Sequence, residues 1–403
     1  MTNTPTPNRR TLLTGAAALA GLPLFQAFPA LAQAVKLSLG VGLAQEGGAL
    51  VLRMQQERLF EKAAQELGLA GIEAEYLSFP VLLRMLQGIA AGQLQVGMLG
   101  STPCIRTLTG PDPAVPVAIA GGGNTFPLQV PPGSPIKNLD GLKGKTVLTI
   151  VGSDLHLVLV RMCQAHFGTE DLKELGIGLR NINALTELGR AQSGIDAVLS
   201  LDPIAGAAER AGDLVTVMRN DGKTGAAYEG PEGKGAGHTV ASFAKTPFAP
   251  EAYYPHRIWW VVRQDFLKAN PKAVTALLVA NARAVETLSK MSPEQIIDIG
   301  GANWPGTRES QAAWVETVLW KRRGWPWITE NDVKSLVGLS TTKAIYQAQL
   351  DAAKAKSVVR LGADAARQAW EMTGQNPPRP AFDQTVGGDV RGRPIWEIDA
   401  WTI

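Results

Sequence analysis

The sequence predicts an α/β protein built from two similar sheet-containing units and a helical C-terminal region. β-Prone and helical stretches alternate from residue 35 to about residue 120, and the same alternation restarts after Gly121-Gly122-Gly123. Such alternation is typical of wound, mainly parallel sheets covered by helices on both faces. The chain has 403 residues, 45% of them hydrophobic and 19% charged, which is enough for a large core and two or three domain-sized units.

The first unit is predicted from apolar alternation in its strands and apolar repeats at helical spacing in its helices. In the first predicted helix, Leu52, Leu59 and Ala63 follow this spacing, and Gly68 ends the run. The predicted strands are residues 35–42, 72–79, 96–99 and 115–120, and the predicted helices are residues 49–67 and 81–91.

The second unit repeats the pattern and ends in a glycine-rich stretch. Residues 221–246 contain many glycines and few apolar residues, so we expect a long loop or insertion without regular structure there. The predicted strands before it are residues 146–150, 177–183, 197–201 and 214–219, and the predicted helices are residues 153–167, 186–192 and 204–211.

The remainder of the chain begins with a β-prone run at residues 257–262 and is otherwise mainly helical. Pro271 opens an amphipathic helix that reaches about Lys290. Further helices are predicted at residues 308–320, 330–337, 341–355 and 363–373, and residues 375–403 are predicted to extend over the surface.

The first 34 residues have the features of an export signal. Arg9 and Arg10 precede a short apolar run at residues 15–22, and small residues around Ala32 and Ala34 fit a cleavage site. Adjacent arginines in this position are typical of twin-arginine signals. We therefore expect export to the periplasm, with cleavage after Ala32 or Ala34.

Two other interpretations of this segment stay open. Leu12 stands where twin-arginine signals more often have an aromatic residue, so the Sec route is the alternative export path. A membrane anchor needs about 20 apolar residues. The run here is shorter, and Pro23 and Pro29 follow it closely, which favours export over anchoring.

Charge and metal-ligand spacing exclude several classes of partner. The net charge of +3 gives no electrostatic reason to expect binding to nucleic acid or to an anionic membrane. Glu229, Glu232 and His238 lie within one stretch, but no second His or Cys completes a metal-binding set. We expect no metal and no cofactor.

Three junctions between a predicted strand and the following helix carry polar residues. Gly100-Ser101-Thr102-Pro103 offers a hydroxyl N-cap with proline at the first helical position, and Asp202-Pro203 repeats this with a carboxylate cap. Gly152-Ser153-Asp154 forms the third junction. Open sheets bind ligands at the carboxyl ends of their strands, where helix N-termini point outward. Plain helix capping, worth about 1 kcal/mol, is the alternative for each junction.

Four segments give the sequence a more specific resemblance. They are FEKAAQELGLAGIEAEYLSFPVLLRMLQGIAAGQLQVGMLGSTPCI, LKGKTVLTIVGSDLHLVLVRMC, IDAVLSLDPIAGAAERAG and PHRIWWVVRQDFLKANPKAVTALLVA. In order and spacing they resemble the nitrate/sulfonate/taurine family of periplasmic substrate-binding proteins of ABC importers. The similarity extends over about 250 residues, from about Val35 to Ala284.

This resemblance implies a two-lobed periplasmic binding protein of type II, whose lobes are joined by crossover strands and close on a ligand. Residues 35–123 would form the first part of lobe 1 and residues 124–254 would form lobe 2. Residues 255–403 would return to lobe 1 and add the helical extension. We expect a monomer that binds a small molecule and delivers it to a membrane permease with its ATPase, touching the membrane only through that permease.

The ligand would lie between the lobes. Carried onto this sequence, its contacts would come from Gln45, Glu46, Gly100, Ser101, Thr102, Asn124, Thr125, Ser153, Asp154, His156 and Asp202.

The acidic residues among these contacts bear on the ligand. The family often has a small or hydroxyl residue where Asp154 stands, and a carboxylate repels an anion. Glu46, Asp154 and Asp202 suit a ligand that carries an amine as well as an acid, or a neutral heterocycle. A small anionic or zwitterionic solute is expected, with taurine-like zwitterions ahead of simple sulfonates. The alternative is that these carboxylates only cap helices and face away.

Two other functions share the same lobes. Related folds host enzymes, including desulfinases and proteins of thiamine-pyrimidine synthesis, and Cys104 with His156 would be the reactive pair here. A small buried cysteine is the simpler interpretation of Cys104, so we expect no catalytic residue. A sensor that hands its ligand to a membrane receptor is the third function.

Overall fold

Two mixed five-stranded sheets form the framework of the protein. The structure is a computed structural model and describes residues 36–69, 71–80, 83–111, 113–242, 254–375 and 392–403. The predicted export signal at residues 1–34 lies outside the described residues. Within the described part of the chain, no helix combines the length and the apolar character that a membrane crossing requires.

The first sheet consists of β1 (Lys36–Val41), β2 (Glu73–Ser78), β3 (Val96–Gly100), β4 (Ala114–Gly122) and β12 (Arg257–Arg263). Its strand order is β2-β1-β3-β12-β4. Strands β1, β2 and β3 are parallel, and β12 is antiparallel to β3 and β4. Every residue of β3 and β4 is buried, as expected for strands covered on both faces.

The second sheet has the same topology. Its strands are β5 (Pro127–Val130), β6 (Thr146–Thr149), β7 (Gly178–Asn181), β8 (Ala197–Leu199) and β9 (Val215–Arg219), in the order β7-β6-β8-β5-β9. Strands β6, β7 and β8 are parallel, and β5 is antiparallel to β8 and β9. In each sheet the antiparallel strand is therefore the one that enters when the chain crosses from one sheet to the other.

The helices cover both sheets and form the C-terminal region. The helix Pro271–Lys290 has thirteen of its twenty residues buried and packs against several other helices and β4, which makes it the centre of the first lobe. The helices are α1 (Gly48–Gln56), α2 (Leu59–Glu66), α3 (Leu83–Ala90), α4 (Ser101–Thr109), α5 (Asp154–Phe167), α6 (Ile204–Ala211), α7 (Gln264–Ala269), α8 (Pro271–Lys290), α9 (Pro293–Gly300), α10 (Arg308–Val315), α11 (Leu319–Arg323), α12 (Glu330–Leu339), α13 (Ala352–Arg360) and α14 (Ala363–Thr373).

The single helix predicted at residues 49–67 is wrong, because the chain breaks at Arg58, which adopts a left-handed conformation with φ of 50°. Helix α1 buries Leu50 and Met54, whereas α2 buries Leu59 and Ala63. At 100° per residue these two sets would face different sides of one continuous helix. The break lets both sets face the core.

The glycine-rich stretch is more ordered than predicted. Within its described part, residues 221–242, a short antiparallel pair joins β10 (Glu229–Gly230) to β11 (Gly233–Lys234). Tyr228 and Val240 are buried and anchor the stretch to the second lobe. Two apolar anchors in a polar stretch leave no periodic signal, which explains why the sequence predicted an irregular loop.

A buried ion cluster ties the C-terminal region to the first sheet. Arg257 of β12 and Arg323 of α11 both bind the carboxylate of Asp332, at 2.8 and 3.0 Å, and all three side chains are inaccessible to solvent. The two guanidinium groups lower the pKa of Asp332 to about 2, although burial alone would raise it. Asp332 therefore stays charged and holds two elements that are distant in sequence.

Candidate functional site

A pocket with about 50 Å³ of free volume lies where the strand ends of the two sheets meet. Allowing about 10–15 Å³ per water molecule, it has room for about four waters or a solute of similar size. Both lobes and both crossover segments contribute to its wall. The lining residues are Gln45, Glu46, Gly100, Pro103, Phe126, Ile150, Ser153, Asp154, Leu155, Leu201, His256 and Ile258.

Glu46 is a buried carboxyl group in the wall of this pocket, with 1% of its surface exposed. Its Oε2 accepts a hydrogen bond from the Asn124 side-chain amide at 2.9 Å. Its Oε1 lies 3.3 Å from His256 Nε2 but has no hydrogen-bond partner among the described residues. Burial, with a smaller contribution from the charge of Asp154, raises the pKa of Glu46 to about 7. Near neutral pH this group therefore exists in both protonation states.

The two crossover segments lie side by side behind Glu46. The Asn124 backbone N–H donates to His256 Nδ1 at 3.2 Å, and the Phe126 ring makes an edge contact with the His256 ring at 4.8 Å. Because Nδ1 accepts, the proton of the neutral imidazole sits on Nε2, which lies 3.3 Å from Glu46 Oε1 without forming a hydrogen bond to it. Burial lowers the pKa of His256 to about 3, so the imidazole is neutral and brings no positive charge to the pocket.

Asp154 connects the two lobes. It lies at the start of α5 in the second lobe, and its Oδ1 accepts a hydrogen bond from the Thr102 backbone N–H of α4, in the first lobe, at 2.6 Å. Gly100 makes this approach feasible, since a Cβ there would lie 2.0 Å from Asp154 Oδ2. Burial raises the pKa of Asp154, and the hydrogen bonds from Thr102 act in the opposite direction.

The predicted hydroxyl cap of α4 is therefore wrong. The helix begins at Ser101, with Gly100 as its N-cap, and neither Ser101 nor Thr102 caps it. Ser101 Oγ instead accepts a hydrogen bond from Trp259 Nε1 at 3.1 Å, and the Thr102 side chain is buried. The capping acceptor is the carboxylate of Asp154, 52 residues further along the chain.

The Asp202 junction also differs from its prediction. The helix begins at Ile204, as predicted, but its N-cap is Pro203 and not Asp202. The Asp202 carboxylate still serves the helix, because its Oδ1 accepts from the Gly206 backbone N–H at 3.2 Å. Its Oδ2 accepts from the Thr125 hydroxyl. Burial raises the pKa of Asp202.

The third junction matches its prediction more closely. Ser153 is the N-cap of α5, and its hydroxyl accepts from the Leu155 backbone N–H at 3.2 Å. His156 turns away from the pocket, since its Nδ1 accepts from the Gly152 N–H at 3.2 Å and its ring lines a separate surface groove. Burial lowers the pKa of His156.

The structure brings five of the predicted contact residues together in the pocket wall: Gln45, Glu46, Gly100, Ser153 and Asp154. The other six lie outside the wall: Ser101, Thr102, Asn124, Thr125, His156 and Asp202. For Asn124 the reason is clear, because the side-chain amide is used within the protein by Glu46, the Asp202 carbonyl and Trp314. A role of any of the eleven in contacting ligand stays a prediction.

Sequence reasoning missed the apolar part of the wall and His256. Phe126, Ile150, Leu201 and Ile258 lie within two residues of a strand end, and Leu155 lies in the first turn of α5, but apolar residues at such places look the same as core residues. His256 precedes the β-prone run that became β12. Its position directly before that strand, opposite the Asn124 crossover, is the signal that could have identified it.

Neither cysteine lies in a reactive environment. Cys104 and Cys163 are both buried and unpaired. Burial raises the pKa of both thiols, most strongly for Cys104, where the charge of Asp154 adds to the effect. Among the described residues, no cluster of His, Cys, Asp and Glu has the arrangement that a metal ion needs.

Comparison of the backbone with solved structures decides the fold. No protein-family model and no curated protein matches the sequence. The alkanesulfonate-binding protein SsuA from Xanthomonas axonopodis pv. citri, bound to MOPS, matches with a TM-score of 0.59 and 16% identity over 80% of this chain and 98% of that one. This chain has the periplasmic binding protein fold.

Two further structures agree with that assignment. The periplasmic nitrate-binding protein NrtA from Synechocystis PCC 6803 matches with a TM-score of 0.59 and 13% identity, covering 92% of this chain and 99% of that one. The periplasmic aliphatic sulphonate-binding protein SsuA from Escherichia coli matches with a TM-score of 0.52 and 16% identity, over 85% and 99%. The predicted fold class, two α/β lobes joined by crossover strands, is confirmed.

Proposed function

We propose that this protein is the periplasmic substrate-binding component of an ABC importer and captures a small solute between its lobes. The observation that carries the proposal is the pocket itself. It lies at the strand ends of both sheets and against the crossover segments, and its wall includes the buried, unpartnered Oε1 of Glu46. A buried polar atom without a partner costs about 1–3 kcal/mol, which a ligand can recover.

The fold and the resemblance of the sequence support this function together. The proteins of similar structure are, by their names, binding proteins for alkanesulfonates or nitrate. We propose the same role for this chain with a small anionic or zwitterionic solute, taurine-like compounds first. The carboxylates of Glu46 and Asp154 in the wall favour the amine-bearing part of that range. Lobe 1 from residues 35–123 and 255–403, and lobe 2 from residues 124–254, remain our proposed division.

The alternative functions receive no support from a specific observation. A nucleophilic cysteine needs a depressed pKa, whereas burial raises the pKa of Cys104. A sensor protein would have the same lobes and differ in its membrane partner. Genes for a permease and an ATPase beside this one would favour the importer, and a receptor gene would favour the sensor.

Thermal unfolding in the presence of single solutes tests the proposed function. The panel contains taurine, alkanesulfonates, nitrate, bicarbonate, thiamine precursors and propylammonium. A solute present at 100 times its dissociation constant stabilises the folded protein by about 2.7 kcal/mol and raises the melting temperature. A panel in which no solute raises it would contradict the function.

Matched variants show whether a stabilising solute binds in this pocket. Ile150→Trp fills the pocket and should abolish the stabilisation, because Ile150 lines the wall. Val151→Trp is the control, since Val151 is the next residue, 38% exposed, and is absent from the wall. Both variants are first melted without solute, so that a folding defect is seen separately. Equal stabilisation of both variants by the solute would place its site elsewhere.

One further experiment tests the proposed export route. Replacing Arg9 and Arg10 by lysine should leave the precursor in the cytoplasm if the twin-arginine path is used. Normal export of that variant would favour the Sec route.

A further inference from the structure

Three helix N-termini near the pocket already have acceptors from the protein itself. Asp154 accepts from α4, Ser153 accepts from α5 and Asp202 accepts from α6. Backbone N–H groups at helix N-termini are a common site for oxyanions. Here a carboxylate or a hydroxyl oxygen takes that role at each of these three helices, so an oxyanion bound at one of them would have to displace that oxygen.

The charge of the pocket wall is negative or neutral. Glu46 and Asp154 are its acidic members, His256 is neutral, and no lysine or arginine lines it in the part of the chain that the structure describes. Two arginines on elements that contribute to the wall, β12 and α4, are used elsewhere. Arg257 binds Asp332, and Arg106 lies against Gly152 outside the wall. An anion in this pocket would meet two carboxyl groups and no compensating cation.

One acceptor atom faces the pocket without a partner. Glu46 Oε1 is buried and accepts no hydrogen bond among the described residues. A protonated amine has three donors and no acceptor, which matches an unpaired carboxylate oxygen. Charge-assisted hydrogen bonds of this kind are the stronger class.

We propose that the pocket recognises a protonated amine, with Glu46 as its counter-charge, and that it rejects solutes whose only charged group is an oxyanion. This inference rests on the proposed function, because it names the ligand class of the same site. The remaining wall, formed by Phe126, Ile150, Leu155, Leu201 and Ile258, is apolar and would hold a short alkyl body. The solute is therefore a small alkylammonium or an amine-bearing zwitterion.

Three probes of similar length separate the amine from the oxyanion. Taurine carries both groups, propanesulfonate has a methyl group in place of the amine, and propylammonium has a methyl group in place of the sulfonate. By calorimetric titration at pH 8, taurine or propylammonium should bind, with propanesulfonate at least tenfold weaker than the tighter of the two. Binding of propanesulfonate at the affinity of taurine, with no binding of propylammonium, would overturn the inference and leave the proposed function standing.

The pH dependence of binding independently tests whether a negative charge on Glu46 favours the ligand. Glu46 has a pKa of about 7, with Asp154 and His256 as the titratable groups that face it. It is about one-tenth ionised at pH 6 and nine-tenths ionised at pH 8. Affinity for an ammonium probe should therefore rise about tenfold across this range, and affinity for an oxyanion should fall. An ammonium affinity that is flat or falls with pH would contradict the role of Glu46.

The variant Glu46→Gln tests whether the charge of Glu46 is needed for binding. It removes the charge and keeps the size of the side chain, so ammonium binding should fall at least tenfold and lose its pH dependence. Glu66→Gln, on an exposed surface pair with Arg283, is the control and should bind like the unmodified protein. If no solute of any charge class binds the unmodified protein, the proposed function is wrong. If only oxyanions bind, the proposed function stands and the inference about the amine is wrong.

Discussion

Replacing Glu46 by glutamine should stabilise the protein at pH 8 and have little effect at pH 5. The pKa of Glu46 is 4.5 in an unfolded chain and about 7 in the folded protein. The folded state therefore holds a proton that the unfolded state releases, and stability falls as pH rises between these values. Each pH unit costs about 1.4 kcal/mol, so the loss by pH 8 is about 3 kcal/mol. Glutamine has no proton to release and avoids this loss.

The expected change is measurable by melting the two proteins at several pH values. For a chain of this length the entropy of unfolding is about 0.8 kcal/mol/K, so 3 kcal/mol corresponds to about 4 °C in melting temperature. Glutamine also changes the hydrogen bonds to Asn124 and His256, which adds an offset that does not depend on pH. The difference between pH 5 and pH 8 is therefore the quantity to compare.

Glu66→Gln should change the pH dependence of stability in the opposite direction. The ion pair with Arg283 lowers the pKa of Glu66, so its contribution is present at neutral pH and is lost on acidification. Because both side chains are partly exposed, this change should stay below about 1 kcal/mol. Parallel melting curves for Glu46→Gln and the unmodified protein from pH 5 to pH 8 would refute the assignment of a buried, proton-binding Glu46.

Three further predictions follow from other buried contacts. Gly100→Ala should destabilise the protein by about 2 kcal/mol in urea unfolding, because its Cβ would displace Asp154 from α4. Gly178→Ala, with no contact closer than 3.6 Å, is the control, and equal effects of the two changes would contradict the contact between Asp154 and α4. Asp332→Asn leaves two arginines buried without a full counter-charge, so it should lower the free energy of unfolding by about 3–5 kcal/mol in the same measurement. A decrease below about 1 kcal/mol would contradict the ion cluster. Cys104 should not react with a thiol reagent in the folded protein at pH 8, and fast reaction of one thiol would revive the enzyme alternative.

Most elements could be predicted because their signals are local. The helix that begins at Pro271 has an opening proline and a long apolar stripe, and the structure places it at Pro271–Lys290. Strand β5 was missed because only four residues cross between the lobes, too few for a period-2 pattern to stand out. Helices α7 and α9 were missed for a similar reason, since six and eight residues give little periodicity.

The C-terminal region shows the limits of periodicity in longer segments. The helix predicted at residues 308–320 is divided into α10 and α11, and the one at residues 341–355 is reduced to the start of α13. The tail beyond residue 375 is described only from residue 392, where Ile395, Ile398 and Trp401 are buried rather than spread over the surface. Residues 376–391 lie outside the described residues.

The sequence predicted which strand ends form the site, but it did not predict which side chains there face the pocket. Sheet topology brings Glu46, Gly100 and Ser153 to one edge, and this follows from the order of the strands. Whether a polar side chain then faces the pocket depends on its partners. Asn124 is used by three groups from three parts of the chain, and the acceptor for α4 comes from the other lobe. Contacts between residues this far apart in the chain cannot be predicted from the local sequence.

A crystal structure of the protein with the solute that most raises its melting temperature tests the central claim directly. We expect density for one solute molecule between the lobes, in contact with Glu46 and with the apolar wall around Phe126 and Leu155. Density for that solute at another place on the molecule, with the space beside Glu46 filled only by water, would contradict the account.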